Sequence, residues 1–216
     1  MFQGFSPEAM DFLWGIRLNN NREWFGAHKA DYQNFVYEPM KQLSQEVFRE
    51  FEQVPNMDYK LSRIYKDARL HPAVPYKESL WFSMRPENCS WSEQPTLYFE
   101  ITPEGCSYGA VLFMPKTAAL ERYRRGLAAN PREFPALVRK LEAASGLPLT
   151  GESYHRKKPC PEEALEPYYQ LKNFQFCREI EPGKQMFCPE LARDVIQTLK
   201  ALYPFYEYCL RFTQGE

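Results

Sequence analysis

The stretch TLYFEITPEGCSYGAVLFM, residues 96–114, decides how this chain is read. Both halves are rich in aromatic and β-branched residues, a composition that suits a pleated, half-buried surface. Between them, TPEG (102–105) is a turn signal, because proline presets φ and glycine accepts conformations closed to other residues. The segment is therefore a β-hairpin. ESLWFSM (78–84) before it and LKNFQFCREI (171–180) after it have the same character, and the sheet they predict is an antiparallel meander.

Helical patterns flank these strands. SPEAMDFLWGI (6–16) begins with Ser6 as N-cap, Pro7 at the first helical position and Glu8 in the first turn. A second helix restarts at Asn20, with Glu23 three residues on as in a capping box. Phe25, His28, Tyr32, Phe35 and Val36 share one face of it. Pro39 kinks or restarts it, and Leu43, Val47 and Phe51 continue the apolar stripe. PKTAALERYRRGLAAN (115–130) and PREFPALVRKLEAASG (131–146) are two more helices, the second ending on Gly146. YHRKKPCPEEALEPYY (154–169) is a proline-broken loop with one helical turn. CPELARDVIQTLKALYPFYEYCLRF (188–212) is a closing helix with a kink or break at Pro204. Helices, then strands, then helices predict an α+β fold, and with no repeat or linker the expectation is one domain over 1–216.

The composition narrows the function. At 216 residues, 44% hydrophobic and 25% charged, the chain can bury a proper core. Its formal charge of −1 excludes the global basic field that drives nonspecific nucleic-acid binding. No run approaches the ~20 apolar residues of a membrane span, and MFQGFSPEAMDFLW lacks the parts of a signal peptide. Six cysteines without paired spacing predict reduced thiols and a cytoplasmic protein. Three widely spaced histidines give no zinc pattern, so neither metal nor cofactor is expected. G-x-S-x-G, the P-loop and G-x-G-x-x-G are all missing.

Charge is nevertheless uneven. SRIYKDARLHPAVPYK (62–77) gathers Arg63, Lys66, Arg69 and Lys77 around one acid, Asp67, with Tyr65 and Tyr76 between them. Over 59–85 the cations Lys60, Arg63, Lys66, Arg69, Lys77 and Arg85 face only Asp67 and Glu78. A local basic patch on a neutral protein suits a small anion better than a long polyanion. In an extended segment Arg63, Tyr65, Asp67 and Arg69 share one face, with Lys66 offset from it. A carboxylate between two guanidiniums orients both forks toward a phosphate or carboxylate, which gives Arg69 a larger role than Lys66. His71 could serve as a base beside Asp67, although an isolated histidine in a proline-rich loop is more often a surface or hydrogen-bonding residue. His28 reads as a core histidine with its nitrogens satisfied, and His155 as a solvated one. Arg156, Lys157 and Lys158 form a second basic run. Trp81, Trp91, Tyr98 and Phe99 are either core or stacking faces.

NNNREWFGAHKADY and SRIYKDARLHPAVPYKESLWFS, supported by YFEITPEGCSYGAVLFMP, LERYR and LKNF, resemble the bacterial DUF2461 family over nearly the whole chain. The family hallmark is R-x-x-R-D-x-R-F followed by a lysine and a tyrosine. Here Arg63, Lys66, Asp67, Arg69 and Leu70 match it, then Tyr76 and Lys77. Lysine replaces the second arginine, leucine replaces the aromatic, and the tyrosine precedes the lysine. The resemblance implies a single α+β domain and a focal motif, and it supplies no reaction.

Three readings of the motif follow. It binds a phosphorylated or carboxylated small molecule through Arg63, Lys66, Asp67, Arg69, Tyr76 and Lys77, in an enzyme or otherwise. Alternatively it belongs to a non-enzymatic module contacting nucleic acid or a protein partner. In the third reading it is a salt-bridged cluster that locks the fold.

Overall fold

The structure is a computed structural model that describes residues 1–67, 69–70, 73–87 and 92–214. The fold is α+β. Five antiparallel strands form one sheet in the order β1-β2-β3-β4-β5, a meander, packed against N-terminal and C-terminal helices. The strands are β1 (Met57–Leu61), β2 (Leu80–Pro86), β3 (Thr96–Thr102), β4 (Gly105–Leu112) and β5 (Phe174–Ile180). The chain forms two compact units, and β2 to β5 contribute residues to both. One unit holds Met1–Met84, Tyr98–Tyr108 and Glu179–Gln197. The other holds Arg85–Leu97, Gly109–Arg178 and Thr198–Glu216.

In the first unit, α1 (Pro7–Leu18) starts as read, with Ser6 at the cap position and Pro7 at its head. The next helix differs in its cap. Asn21, not Asn20, accepts the Trp24 backbone N–H at 2.9 Å and opens α2 (Arg22–Ala27). Three residues, Lys29–Asp31 (α3), lead into a π-helical stretch, Tyr32–Tyr37, and then α4 (Glu38–Arg49). The wide turn falls just before Pro39, whose missing N–H cannot close a normal helical bond there. Proline thus widens the helix rather than ending it.

Phe82, Phe99 and Tyr108 stack across β2, β3 and β4 at 5.6 and 5.9 Å, and Phe5 joins them on Phe99 at 5.9 Å. All of these rings are buried. Tyr59 of β1 shares a 2.5 Å hydrogen bond with Ser44 of α4, so β1 turns the same face toward the helices. At the TPEG turn, Gly105 adopts φ +137°, and a side chain there would meet the Ile180 carbonyl oxygen at 2.0 Å.

In the second unit, α5 (Thr117–Ala129) and α6 (Glu133–Ser145) match the predicted helices, and Gly146 caps α6 at φ +70°. A short 3₁₀ turn (Glu163–Leu165) runs into α7 (Glu166–Tyr169) in the proline-broken loop, where one helical turn was expected. Tyr123, Phe134, Phe174 and Phe212 form an aromatic core there. The last helix, α8 (Glu190–Thr213), starts in the first unit and continues through Pro204 without the break that was one of the two expectations there. Leu202, Phe205, Tyr206, Cys209 and Phe212 around the proline are buried, and that packing offsets one lost backbone bond.

Candidate anion site

The 62–77 motif connects β1 to β2 and extends their hairpin. Tyr65 and Tyr76 form an antiparallel bridge, flanked by Lys66 N–H to Pro75 O at 2.8 Å and Lys77 N–H to Ile64 O at 2.7 Å. Nearer the sheet, Ser62 N–H donates to Trp81 O at 2.8 Å, and the longer return arm bulges at Glu78 and Ser79. Glu78 is held there by Arg17 of α1, whose Nε donates to it at 2.7 Å while the rest of the guanidinium grips Glu104. This pairing sorts the side chains by face. Arg63, Tyr65 and Asp67 lie on one side, while Ile64, Lys66 and Lys77 lie on the other.

Aromatic packing anchors the hairpin. Phe25 of α2 stacks on Tyr76 at 4.2 Å and also meets Tyr65 and Tyr32 at 5.8 and 5.7 Å. Asn20 completes the attachment. Its amide donates to Tyr76 O and accepts from Tyr76 N–H, both at 3.0 Å. Asn20 therefore clamps the backbone immediately before Lys77, a role that its reading as a helix cap missed. Tyr76, one of the expected ligand residues, is a buried anchor.

The charged residues divide. Asp67 is engaged by Arg69, whose Nε and Nη2 donate to its two oxygens at 3.0 and 2.6 Å and whose backbone N–H donates at 3.0 Å. That bidentate pair sits at the exposed tip. Asp67 thus takes the Nε–Nη2 edge of the Arg69 fork. Among the described residues, Asp67 and Arg69 close one pair of the expected Arg63–Asp67–Arg69 cluster.

Lys77 is different. It is half-buried, with its ammonium 5.5 Å from the centre of the Trp81 ring. Burial pushes its pKa below the ordinary 10.5, and Lys60, Arg63 and Lys66 push it further down. Glu100 of β3 pulls the other way. Four cations thus share one electrostatic field with one carboxylate. Glu100 could not be tied to this motif in sequence, because the strand that carries it follows some twenty residues later.

The remaining candidates are accounted for locally. Lys157 pairs with Glu166 at 2.9 Å, and Lys158 lies 5.0 Å from the Tyr154 ring centre. His28 stacks on Trp24 at 4.1 Å with Nδ1 2.8 Å from the Trp24 carbonyl. His155 and Arg156 are exposed. His71, Trp91 and Cys89 lie outside the described residues. Phe99 is core, whereas Trp81 and Tyr98 are half-exposed. Burial pushes the Cys106 thiol up to about 12, with the Asp194 charge adding to it, so it is no thiolate nucleophile. Among the described residues, no group of three His, Cys, Asp or Glu is placed to hold a metal, and no helix is long and apolar enough to cross a membrane.

A family model described as "Conserved hypothetical protein (DUF2461)" matches residues 8–208, and the chain belongs to that family. None of the curated proteins compared with it matches.

Proposed function

We propose that this DUF2461 protein binds a small anion, phosphate- or carboxylate-bearing, at the Lys60, Arg63, Lys66 and Lys77 cluster. The observation that carries the reading is Lys77 itself, an ammonium drawn partly out of water among three like charges while the motif's own acid is spent on Arg69. Such an arrangement opposes folding unless an anion offsets it. A bound phosphate would take charge-assisted bonds from Lys77 and from Lys66 on the same face. Arg63 and Lys60 would add field from the flanks, and Asp67–Arg69 would stiffen the tip. The net charge of −1 favours a small ligand over a polyanion. We read the chain as one domain, since one sheet draws on both units, and as cytoplasmic, since Cys106, Cys160, Cys188 and Cys209 are free thiols.

Calorimetric titration with inorganic phosphate tests the binding reading. The parent protein should bind, Lys77→Met should lose about 1.5–3 kcal/mol of affinity, and Lys157→Met should bind like the parent. Absence of phosphate binding, together with salt-sensitive binding of a single-stranded oligonucleotide, would assign the cations to a nucleic-acid backbone instead.

A further inference from the structure

The Phe82–Phe99–Tyr108 stack fills one face of the sheet, so the residues between those positions, Trp81 on β2 and Tyr98 and Glu100 on β3, belong to the opposite face. Each of the three is half-buried rather than enclosed. Lys77, in the electrostatic reach of Glu100, holds its ammonium 5.5 Å from the Trp81 ring centre. An anion bonded to that ammonium is therefore held beside an indole, the aromatic side chain with the strongest face for stacking and for cations.

We infer that the anion taken at this site is carried by a planar aromatic or heterocyclic ring, which packs against Trp81 while its phosphate or carboxylate meets Lys77. This rests on the anion-binding reading above and narrows it to a substrate class. Two features of the site suit such a molecule. The Lys77 ammonium lies 5.5 Å from the indole centre, so a ligand with its charge at one end and its ring at the other can reach both groups. Glu100, on the same face as Trp81, disfavours a second anionic group there and can accept a hydrogen bond from a ring amine or hydroxyl. A free inorganic anion would use the cations and leave the ring idle.

The experiment compares three probes on the full chain by calorimetry: inorganic phosphate, glycerol phosphate and phenyl phosphate. Phenyl phosphate should bind roughly tenfold more tightly than glycerol phosphate, the scale of one ring stacking on an aromatic side chain. In Trp81→Leu that ratio should fall to near one, and in Trp81→Phe, which keeps a ring and guards against misfolding of the leucine variant, most of it should remain. Equal affinities for phenyl and glycerol phosphate, both lost in Lys77→Met, would overturn the aromatic class and leave the anion site standing. A tenfold preference that survives Trp81→Leu would also overturn it. Failure of all three probes to bind would remove the anion reading itself.

Discussion

Arg124 and Lys77 are both cations taken out of bulk water, and their surroundings differ in kind. Arg124, buried on α5, donates Nε to Tyr169 O at 3.0 Å and Nη2 to Leu171 O at 3.3 Å. Its guanidinium also lies 5.1 and 5.6 Å from the Tyr154 and Tyr169 ring centres. Two carbonyls and two rings thus engage that cation, and its work is to fasten the proline-broken loop to α5. Lys77 has a ring, a set of like charges and Glu100. A saturated cation is a staple; a half-buried cation among repelling neighbours is a place where something negative is expected. The contrast separates structural from binding roles more sharply than the count of basic residues in either segment.

The comparison breaks most visibly at Arg124. Arg124→Ala strands two carbonyls and should cost about 3 kcal/mol in chemical denaturation. Arg124→Lys should recover less than half of that, because an ammonium cannot span both acceptors in one plane. A cost near zero would show that the loop does not need its staple.

Asn20→Ala comes next. Losing both bonds to the Tyr76 backbone should cost about 1–2 kcal/mol and weaken phosphate binding as well, because Lys77 follows directly on the clamped residue. Stability lost without any change in phosphate affinity would detach the clamp from the site.

Lys77→Met should act in the opposite sense to Arg124→Ala, raising stability by up to about 1 kcal/mol near neutral pH, since it removes a poorly solvated charge. The pH dependence follows from the lowered pKa. The folded protein releases the Lys77 proton more readily than the unfolded chain, so stability from this group rises with pH in the window just below 10.5. The advantage of the methionine variant should therefore shrink as pH climbs through that window. A constant gap would mean that Lys77 is not perturbed.

The smallest effect is expected at the tip. Asp67→Asn disturbs an exposed ion pair and should leave the melting temperature unchanged. A marked loss would return the motif to the salt-bridged lock considered from the sequence.

Much of the architecture was legible because it is written locally. The TPEG turn, the aromatic strands beside it, Pro7 and Gly146 each carry their own conformational demand. β1 was not called as a strand, because MDYKL is short and has no turn signal of its own on its C-terminal side. At Pro204 the sequence left a kink and a break both open, and burial on both sides keeps the helix from breaking. The site was half legible: the cations stand out in the composition of 62–77, but their division does not. Which guanidinium Asp67 takes, how Asn20 reaches Tyr76, and the approach of Glu100 to Lys77 all depend on pairings between segments distant in sequence.

The most direct measurement is the pKa of Lys77, followed by NMR of the lysine side-chain carbons in the presence and absence of phosphate. The account predicts a value below 10.5 in the free protein that moves back up when phosphate binds. An ordinary value for Lys77 that phosphate leaves in place would contradict it.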